Sequence, residues 1–317
     1  MATHPRRLLG PTVLAVLSLV GAACGGGGPT QIAPTHSDAA AAQFPLTLTD
    51  DDGVAVTFKS PPQRIVTFSP SDTEIVYALG LGNRLVGVSG PADDYPAAAS
   101  KITHVGAGEF GSELNVEKVV SLDADVVLYT FGSAPWMAEA RKLGIPVFTT
   151  HSTSVNDAMH DIDTIGRLLG EAAPAKALTT RMRRDAGLIE RSVAEVPAAT
   201  CFYEEGYNPL YTVGPGSLEY DMLRQAGCRP VTASAKSPYP QWSVEALLKE
   251  NPDVYFAGTE STRSVQQVAR RPGFDALTAV KEGRVDVVNS DLISRPGPRL
   301  VEGLSELAKD LHPESFG

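Results

Sequence analysis

Short apolar runs alternate with amphipathic stretches along most of the chain, and this alternation predicts strands and helices in turn. Leu46-Thr-Leu-Thr49 alternates, Asp52-Gly53 is a turn signal and Val54-Ala-Val-Thr-Phe58 follows, so residues 45–58 read as a hairpin. Arg64-Ile-Val-Thr-Phe68, Leu85-Val-Gly-Val88, Val126–Tyr129 and Pro146-Val-Phe-Thr149 read as short buried strands. Between them, Ser71-Asp-Thr-Glu74 has the form of a capping box for a helix over Ile75–Leu79, stopped by Gly80 and Gly82, and Trp136–Leu143 is a second helix. Strands alternating with helices imply a parallel sheet covered on both faces. From Val155 the pattern is helical only. Ala175–Val196 contains no Pro and a single Gly, and as a helix it would span ~33 Å at 1.5 Å per residue. That segment reads as a rigid strut, ended by Pro197. Strand and helix order then restarts, with strands at Thr200–Glu204 and Arg284–Val288 and a last helix over Pro298–Leu311.

The restart is a duplication. Asn115-Val-Glu-Lys-Val-Val-Ser-Leu-Asp-Ala-Asp-Val-Val-Leu-Tyr129 corresponds to Ser243-Val-Glu-Ala-Leu-Leu-Lys-Glu-Asn-Pro-Asp-Val-Tyr-Phe-Ala257. Each copy opens on a good N-cap residue, continues with Val-Glu and enters an Asp-Val-led strand. Glu117 and Glu245 thereby occupy the same place, the first turn of a short helix. Thr212-Val-Gly-Pro-Gly-Ser-Leu-Glu219 likewise follows Thr67-Phe-Ser-Pro-Ser-Asp-Thr-Glu74. Two like halves predict two α/β lobes facing each other across a cleft, joined by the long helix.

The termini and the charge refine this picture. Arg6 and Arg7, the apolar run Leu8–Val20 and Gly21-Ala-Ala-Cys24 form a secretory leader over residues 1–23. The small residues before Cys24 resemble a lipobox, with Gly21 where Leu is usual, so Cys24 is a lipidation candidate; cleavage at an Ala-x-Ala-like site with Cys24 carried along is the alternative. Residues 24–43 are rich in Gly, Ala and Pro and read as a flexible tether. The expected organisation is then an N-terminal lobe over 44–153, a helical segment with the strut over 154–196, and a C-terminal lobe over 197–317. The chain has a formal net charge of −10, and the leader removes two arginines and no acid. Such an acidic chain argues against nucleic acid and suits a basic patch on a partner. In an oxidising compartment Cys201 and Cys228 meet at one edge of a lobe, either as a disulfide or as two buried thiols.

Five stretches in order now resemble the substrate-binding proteins of ABC importers for iron-siderophores and cobalamin. They are Arg64-Ile-Val-Thr-Phe-Ser-Pro-Ser-Asp-Thr-Glu74, Asp94-Tyr-Pro96, Asn115-Val-Glu117, Thr212-Val-Gly-Pro-Gly-Ser217 and Ser237-Pro-Tyr-Pro-Gln-Trp-Ser-Val-Glu245. The resemblance covers about Pro62 to Leu311. It implies the class III periplasmic-binding-protein fold, two Rossmann-like lobes bridged by one long helix, in a monomer anchored by lipid to the outer face of the cytoplasmic membrane. It implies delivery of a bound metal chelate to a permease dimer, with no chemistry performed and no resident cofactor or metal. Glu117 and Glu245 then become the carboxylates that meet the permease. A glutamate in a helix's first turn is also favoured by the macrodipole alone, which accounts for either residue but less well for the pair.

In open α/β sheets ligands lie beyond the carboxyl ends of the strands. The candidates there include Tyr95, Phe110, Tyr129 and Trp136 in the first half, and Glu205, Tyr207, Tyr239, Asp291 and Arg295 in the second. Flat chelates need aromatic faces and a few polar groups to fix orientation. By resemblance to the vitamin B12 binders, Tyr239 stands at a tryptophan position, and Asp291 and Arg295 match an Asp–Arg pair that reaches corrin amides. Glu205 stands where an aromatic is found there. With Glu204 and Glu205 opposing an anion, a corrinoid is favoured over a ferric siderophore or haem. Trp136 and Trp242 serve equally as packing anchors, and Asp291–Arg295 as a structural ion pair. A free zinc or manganese receptor would need a cage of histidines and acids, for which only His104 and His151 are in reach. An exported enzyme on the same fold would need a nucleophile elbow, metal motif or phosphate loop, and the sequence contains none of these.

Overall fold

The protein is described here from a computed structural model, which covers residues 43–107 and 113–316. The leader, Cys24 and Phe110 lie outside the described residues, as does nearly all of the tether. Strands β1 (Leu46–Thr49) and β2 (Ala55–Phe58) form the expected hairpin, with Leu48, Val56 and Phe58 buried on one face. The first large sheet combines β3 (Ile65–Thr67), β4 (Leu85–Gly87), β7 (Val126–Tyr129) and β8 (Val147–Thr149) in the order β4-β3-β7-β8, all parallel. A short antiparallel pair, β5 (Gly106–Ala107) and β6 (Glu113–Leu114), lies outside it. The second sheet is built from β9 (Ala199–Gly206), β10 (Tyr211–Thr212), β11 (Cys228–Pro230), β12 (Val254–Gly258) and β13 (Val285–Val288). In it, β11, β9, β12 and β13 run parallel, and β10 folds back antiparallel on the carboxyl end of β9.

Helices α1 (Pro70–Ala78), α2 (Val116–Ser121) and α3 (Pro135–Lys142) belong to the first half. Next come α4 (Val155–Leu168) and α5 (Ala172–Val193). The second half carries α6 (Leu218–Gln225), α7 (Val244–Glu250), α8 (Val265–Ala269), α9 (Thr278–Lys281), α10 (Ser290–Ile293) and α11 (Leu300–Leu311). The duplicated helices α2 and α7 are capped as their sequences predict: Asn115 accepts from the Lys118 N–H and Ser243 from the Ala246 N–H.

Two boundaries differ from the sequence reading. The strut keeps its 22 residues but runs from Ala172 to Val193. Pro174 is tolerated in its first turn, where an N–H would have no intrahelical partner. The capping box at Ser71–Glu74 does not form. Pro70 has the fixed φ suited to a first helical position, so α1 starts there with Ser69 as N-cap, and Ser71 and Glu74 lie inside the helix.

The parallel strands are apolar throughout because both of their faces are covered. Val126 and Leu128 of β7, Cys201 and Tyr203 of β9, and Val254 and Phe256 of β12 point into one large core. Their alternate neighbours serve two smaller ones: Val127 and Tyr129 pack with Trp136 and Met137 of α3, and Phe202 and Tyr255 pack with Leu247 and Phe274. The large core is common to both sheets. Its central member is α5, whose buried residues Ala175, Thr179, Met182, Ala186, Ile189 and Val193 repeat at alternating steps of four and three. This stripe faces α4 on one side and α11 on the other.

Cys201 and Cys228 are bonded, with Cα atoms 6.0 Å apart, and tie β9 to β11 at the start of the second sheet. Replacing both by Ser should lower the unfolding free energy by ~3 kcal/mol, since the bond closes a loop of a few tens of residues. Denaturant titration against the oxidised parent is the check, and unchanged stability would deny the bond its role. Gly303 marks a second tight point. A Cβ there would sit 2.2 Å from the Leu292 carbonyl oxygen, where α11 crosses the end of α10. Gly303→Ala should cost about 1–3 kcal/mol by overpacking, read as a lowered Tm.

Candidate functional site

A cavity of about 410 Å³ opens between the two sheets, beyond the carboxyl ends of their strands. Pro70 and Phe131 come to it from the first half. From the second half come Glu205 and Tyr211 of β9 and β10, Glu219 of α6, Tyr239, Glu260, and Ser290, Asp291, Ser294 and Arg295 in and after α10. Of the residues expected from sequence, Glu205, Tyr239, Asp291 and Arg295 are brought together here.

The expected aromatic set is redistributed. Tyr129 is only 3% exposed and Trp136 only 6%, and with Phe68 they form an aromatic cluster, centroids 5.3–6.0 Å apart, in which Trp136 meets both other rings edge to face. The alternation of β7 turns Tyr129 toward α3, so neither residue lines the cavity. Phe131, two residues on and past the strand's end, is 48% exposed and reaches it. Tyr207 lies under the Arg271 guanidinium, 3.7 Å from its ring centroid, and against Phe274, also outside the cavity lining. Tyr95 is half exposed and carries the Arg299 guanidinium 3.9 Å above its ring. Trp242 packs in the outer core of the second sheet.

Charge is arranged in three groups. First, Glu204 is fully buried on the opposite face of β9 from Glu205. It takes two hydrogen bonds from Arg271 and one each from the Tyr255 and Ser261 hydroxyls, so it does not act on a ligand. Second, Glu74 on α1 crosses to the other half. Arg299 donates to it through Nε at 2.9 Å and Nη2 at 2.5 Å, and Arg295 through Nη1 at 3.4 Å. Arg295 also pairs with Asp291 at 2.6 Å and approaches Asp94 at 3.7 Å. The two arginines nearest the cavity are thus matched by the protein's own acids. Third, the cavity floor is acidic. The Tyr239 hydroxyl donates to Glu219 Oε2 at 3.1 Å. Burial pushes Glu219 above the usual carboxylate range. Burial, with the Glu219 and Glu260 carboxylates beside it, pushes Glu205 up to about 8. Burial and the adjacent Glu219 carboxylate raise the Tyr239 phenol as well.

Glu74 and Glu219 are site residues that the sequence reading did not single out. The signal was present, because they occupy matching ends of the Thr67–Glu74 and Thr212–Glu219 segments. Glu117 and Glu245 are both exposed, one in the first turn of α2 and one in that of α7.

Known proteins share this architecture. An uncharacterized ABC transporter substrate-binding lipoprotein of Bacillus subtilis, YvrC, is 35% identical over 282 residues, covering 86% of this chain and 87% of that protein. A cobalamin-binding protein of Halobacterium salinarum is 34% identical over 293 residues, covering 87% of this chain and 77% of its own. The crystal structure of the periplasmic vitamin B12 binding protein BtuF of Vibrio cholerae superposes with a TM-score of 0.70 at 25% identity, over 80% of this chain and 98% of that one. The periplasmic binding protein profile matches residues 65–292, from the first strand of the first sheet to α10. With two parallel sheets, a bridging helix and a match across most of its length, the chain belongs to the periplasmic binding protein family.

Proposed function

We propose that this chain is an extracytoplasmic solute receptor that binds a corrinoid in the cleft and delivers it to the permease of an ABC importer. The observation that carries the cargo class is the charge state of the cleft. Four acids, Glu205, Glu219, Glu260 and Asp291, line it against one arginine, Arg295, which is already paired to Asp291 and Glu74. A polyanionic chelate such as a citrate- or catechol-type ferric siderophore would meet net negative charge with no free guanidinium to receive it. Haem would bring its propionates to the same place. A fully amidated corrinoid such as cobinamide or cobalamin, with carboxamide arms and no carboxylates, fits an acidic floor with exposed aromatic edges at Phe131, Tyr211 and Tyr239. The names of the Halobacterium and Vibrio relatives support the same class. Among the described residues no group of three His, Cys, Asp or Glu side chains could hold a metal ion, which disfavours free zinc or manganese as the cargo.

Delivery rests on Glu117 and Glu245, exposed and equivalent in the two lobes, which suit basic residues on a two-fold permease dimer. Cys24 is the proposed site of lipid attachment. The receptor binds and releases its cargo unchanged, as a monomer and with no resident cofactor.

Two measurements test this reading. In a thermal-shift panel of cyanocobalamin, cobinamide, haem and ferric siderophores, the corrinoids alone should raise stability. The expected gain is ~4 kcal/mol at ligand a thousand times its Kd. A shift with only haem or a ferric siderophore would reassign the cargo. Reversing both docking charges, Glu117→Lys with Glu245→Lys, should lower corrinoid uptake into proteoliposomes carrying the cognate importer at least tenfold and leave corrinoid affinity within twofold of the parent. Equal loss of affinity and uptake would remove the docking role.

A further inference from the structure

Glu205 differs from the other described acids of the cleft, of which Glu260 is exposed to solvent. Asp291 is paired to Arg295, and Glu219 accepts the Tyr239 hydroxyl. Among the described residues no side chain or backbone group hydrogen-bonds the Glu205 carboxyl, although it lines the cavity and is half-buried. Its position is set by β9, whose alternation sends Glu204 to Arg271 on one face and leaves Glu205 on the face of Tyr203. Around it stand Glu219 of α6, Glu260 after β12, Tyr239 before α7, and Asp291 and Arg295 at α10; the Tyr203 phenol of the same strand is fully buried. Acids dominate this shell, and among the described residues its one cation, Arg295, is paired with Asp291 and Glu74.

We propose that Glu205, with Glu219 and Tyr239 beside it, forms a subsite in which its carboxyl group, carrying a proton, donates a hydrogen bond to an uncharged carboxamide carbonyl of the ligand and discriminates against a carboxylate at the same place. This inference rests on the corrinoid reading and identifies which part of such a ligand the floor of the cleft recognises. A carboxylic acid both donates and accepts, so it matches the carbonyl and N–H₂ of a carboxamide in a two-bond pair. A ligand carboxylate would bring a further negative charge against Glu219, Glu260 and Asp291.

The proton gives the subsite a pH dependence of fixed sign. Glu205 is raised to about 8, chiefly by burial, then by the Glu219 and Glu260 carboxylates. Its acid form therefore predominates below pH 8, where binding is strongest. Above pH 8 the proton must be restored for the ligand to bind, and affinity falls by up to tenfold per pH unit. If Glu205 instead met a cationic group as a carboxylate, affinity would rise through the same range.

The test is calorimetric titration of the protein with cyanocobalamin from pH 6 to 9.5, for the parent, Glu205→Gln and Glu205→Leu, together with the monocarboxylic acids made by hydrolysing one propionamide arm of cyanocobalamin. The parent should lose affinity only above pH 8. Glu205→Gln, which keeps a donor and cannot ionise, should bind within about threefold of the parent at pH 7 and show a flat profile. Glu205→Leu should bind roughly fivefold to tenfold more weakly at pH 7, as for the loss of one neutral hydrogen bond. At least one monocarboxylic acid should bind the parent at least tenfold more weakly than cyanocobalamin. A parent profile that is flat, or that rises above pH 8, overturns the subsite and leaves the corrinoid reading intact. Failure to bind cyanocobalamin at every pH overturns both.

Discussion

The geometry of the cleft depends on one apolar stripe. Ala175, Thr179, Met182, Ala186, Ile189 and Val193 keep a single edge of α5 buried along its whole length, in a core that also contains the inner faces of both sheets. Because interiors pack at crystal-like density, moving one sheet relative to the other would open gaps along that edge. The strut therefore fixes where the carboxyl ends of β3 and β7 lie relative to those of β9 and β12, and the cavity is the space left between them. The small residues Ala175 and Ala186 in the stripe matter as much as the large ones, since they let neighbouring helices come close. Gly166 of α4 fits the same pattern, with Ala175 so near that a Cβ on the glycine would lie 2.2 Å from it.

Beside that space, reaching it through Arg295, lies the ion cluster of Glu74, Arg295 and Arg299. Glu74 is 3% exposed, and burying a carboxyl group is costly unless it is paired and hydrogen-bonded. The two arginines supply them from the other half of the molecule, so the cluster bridges the lobes as well as neutralising an acid. Its consequence for recognition is indirect. Guanidinium groups that would otherwise attract anions have their donors turned toward protein carboxylates, and breaking a buried pair costs about 3–5 kcal/mol, more than a single new contact to a ligand returns. The acids of the floor then set the character of the cleft without opposition.

Much of the fold was legible because burial on both faces leaves an unmistakable mark. Val126–Tyr129 and Val254–Gly258 are continuous apolar runs, and the helices between strands carry their caps openly at Asn115 and Ser243. What the run could not tell was where the strand ended and which side chain passed its edge. Tyr129 was expected at the cavity, yet it is sealed against Trp136, and Phe131, two residues on, is the one exposed there. The same ambiguity joined Glu204 to Glu205. Adjacent strand residues face opposite ways, and the arginine that claims Glu204 lies 67 positions along the chain. Glu74 was assigned to a cap for a related reason. Its true partners are 221 and 225 positions distant, and local spacing carries no information about them. The arrangement of charge is tertiary, whereas the arrangement of apolar residues is largely periodic.

The duplication has opposite outcomes on the two kinds of surface. At Glu117 and Glu245 it is preserved, with a side-chain cap at the equivalent position, the same place in the first turn and both carboxylates exposed, as a two-fold partner would require of two separate contacts. At Glu74 and Glu219 it is broken. The two glutamates end matching segments and both are buried beside the cleft, but one is met by two arginines and the other by a tyrosine hydroxyl. The difference arises from α10 and the loop after it, which supply Arg295 and Arg299 to the first glutamate and only Ser294 near the second. The neutralised glutamate joins the halves, while the glutamate without a cation adds to the effect of burial in raising the proton affinity of Glu205 nearby. A symmetric cleft would present the same chemistry to both sides of a ligand. This one sets an inter-lobe ion cluster and a group of acids without cations around the same cavity, so its two halves offer different chemistry.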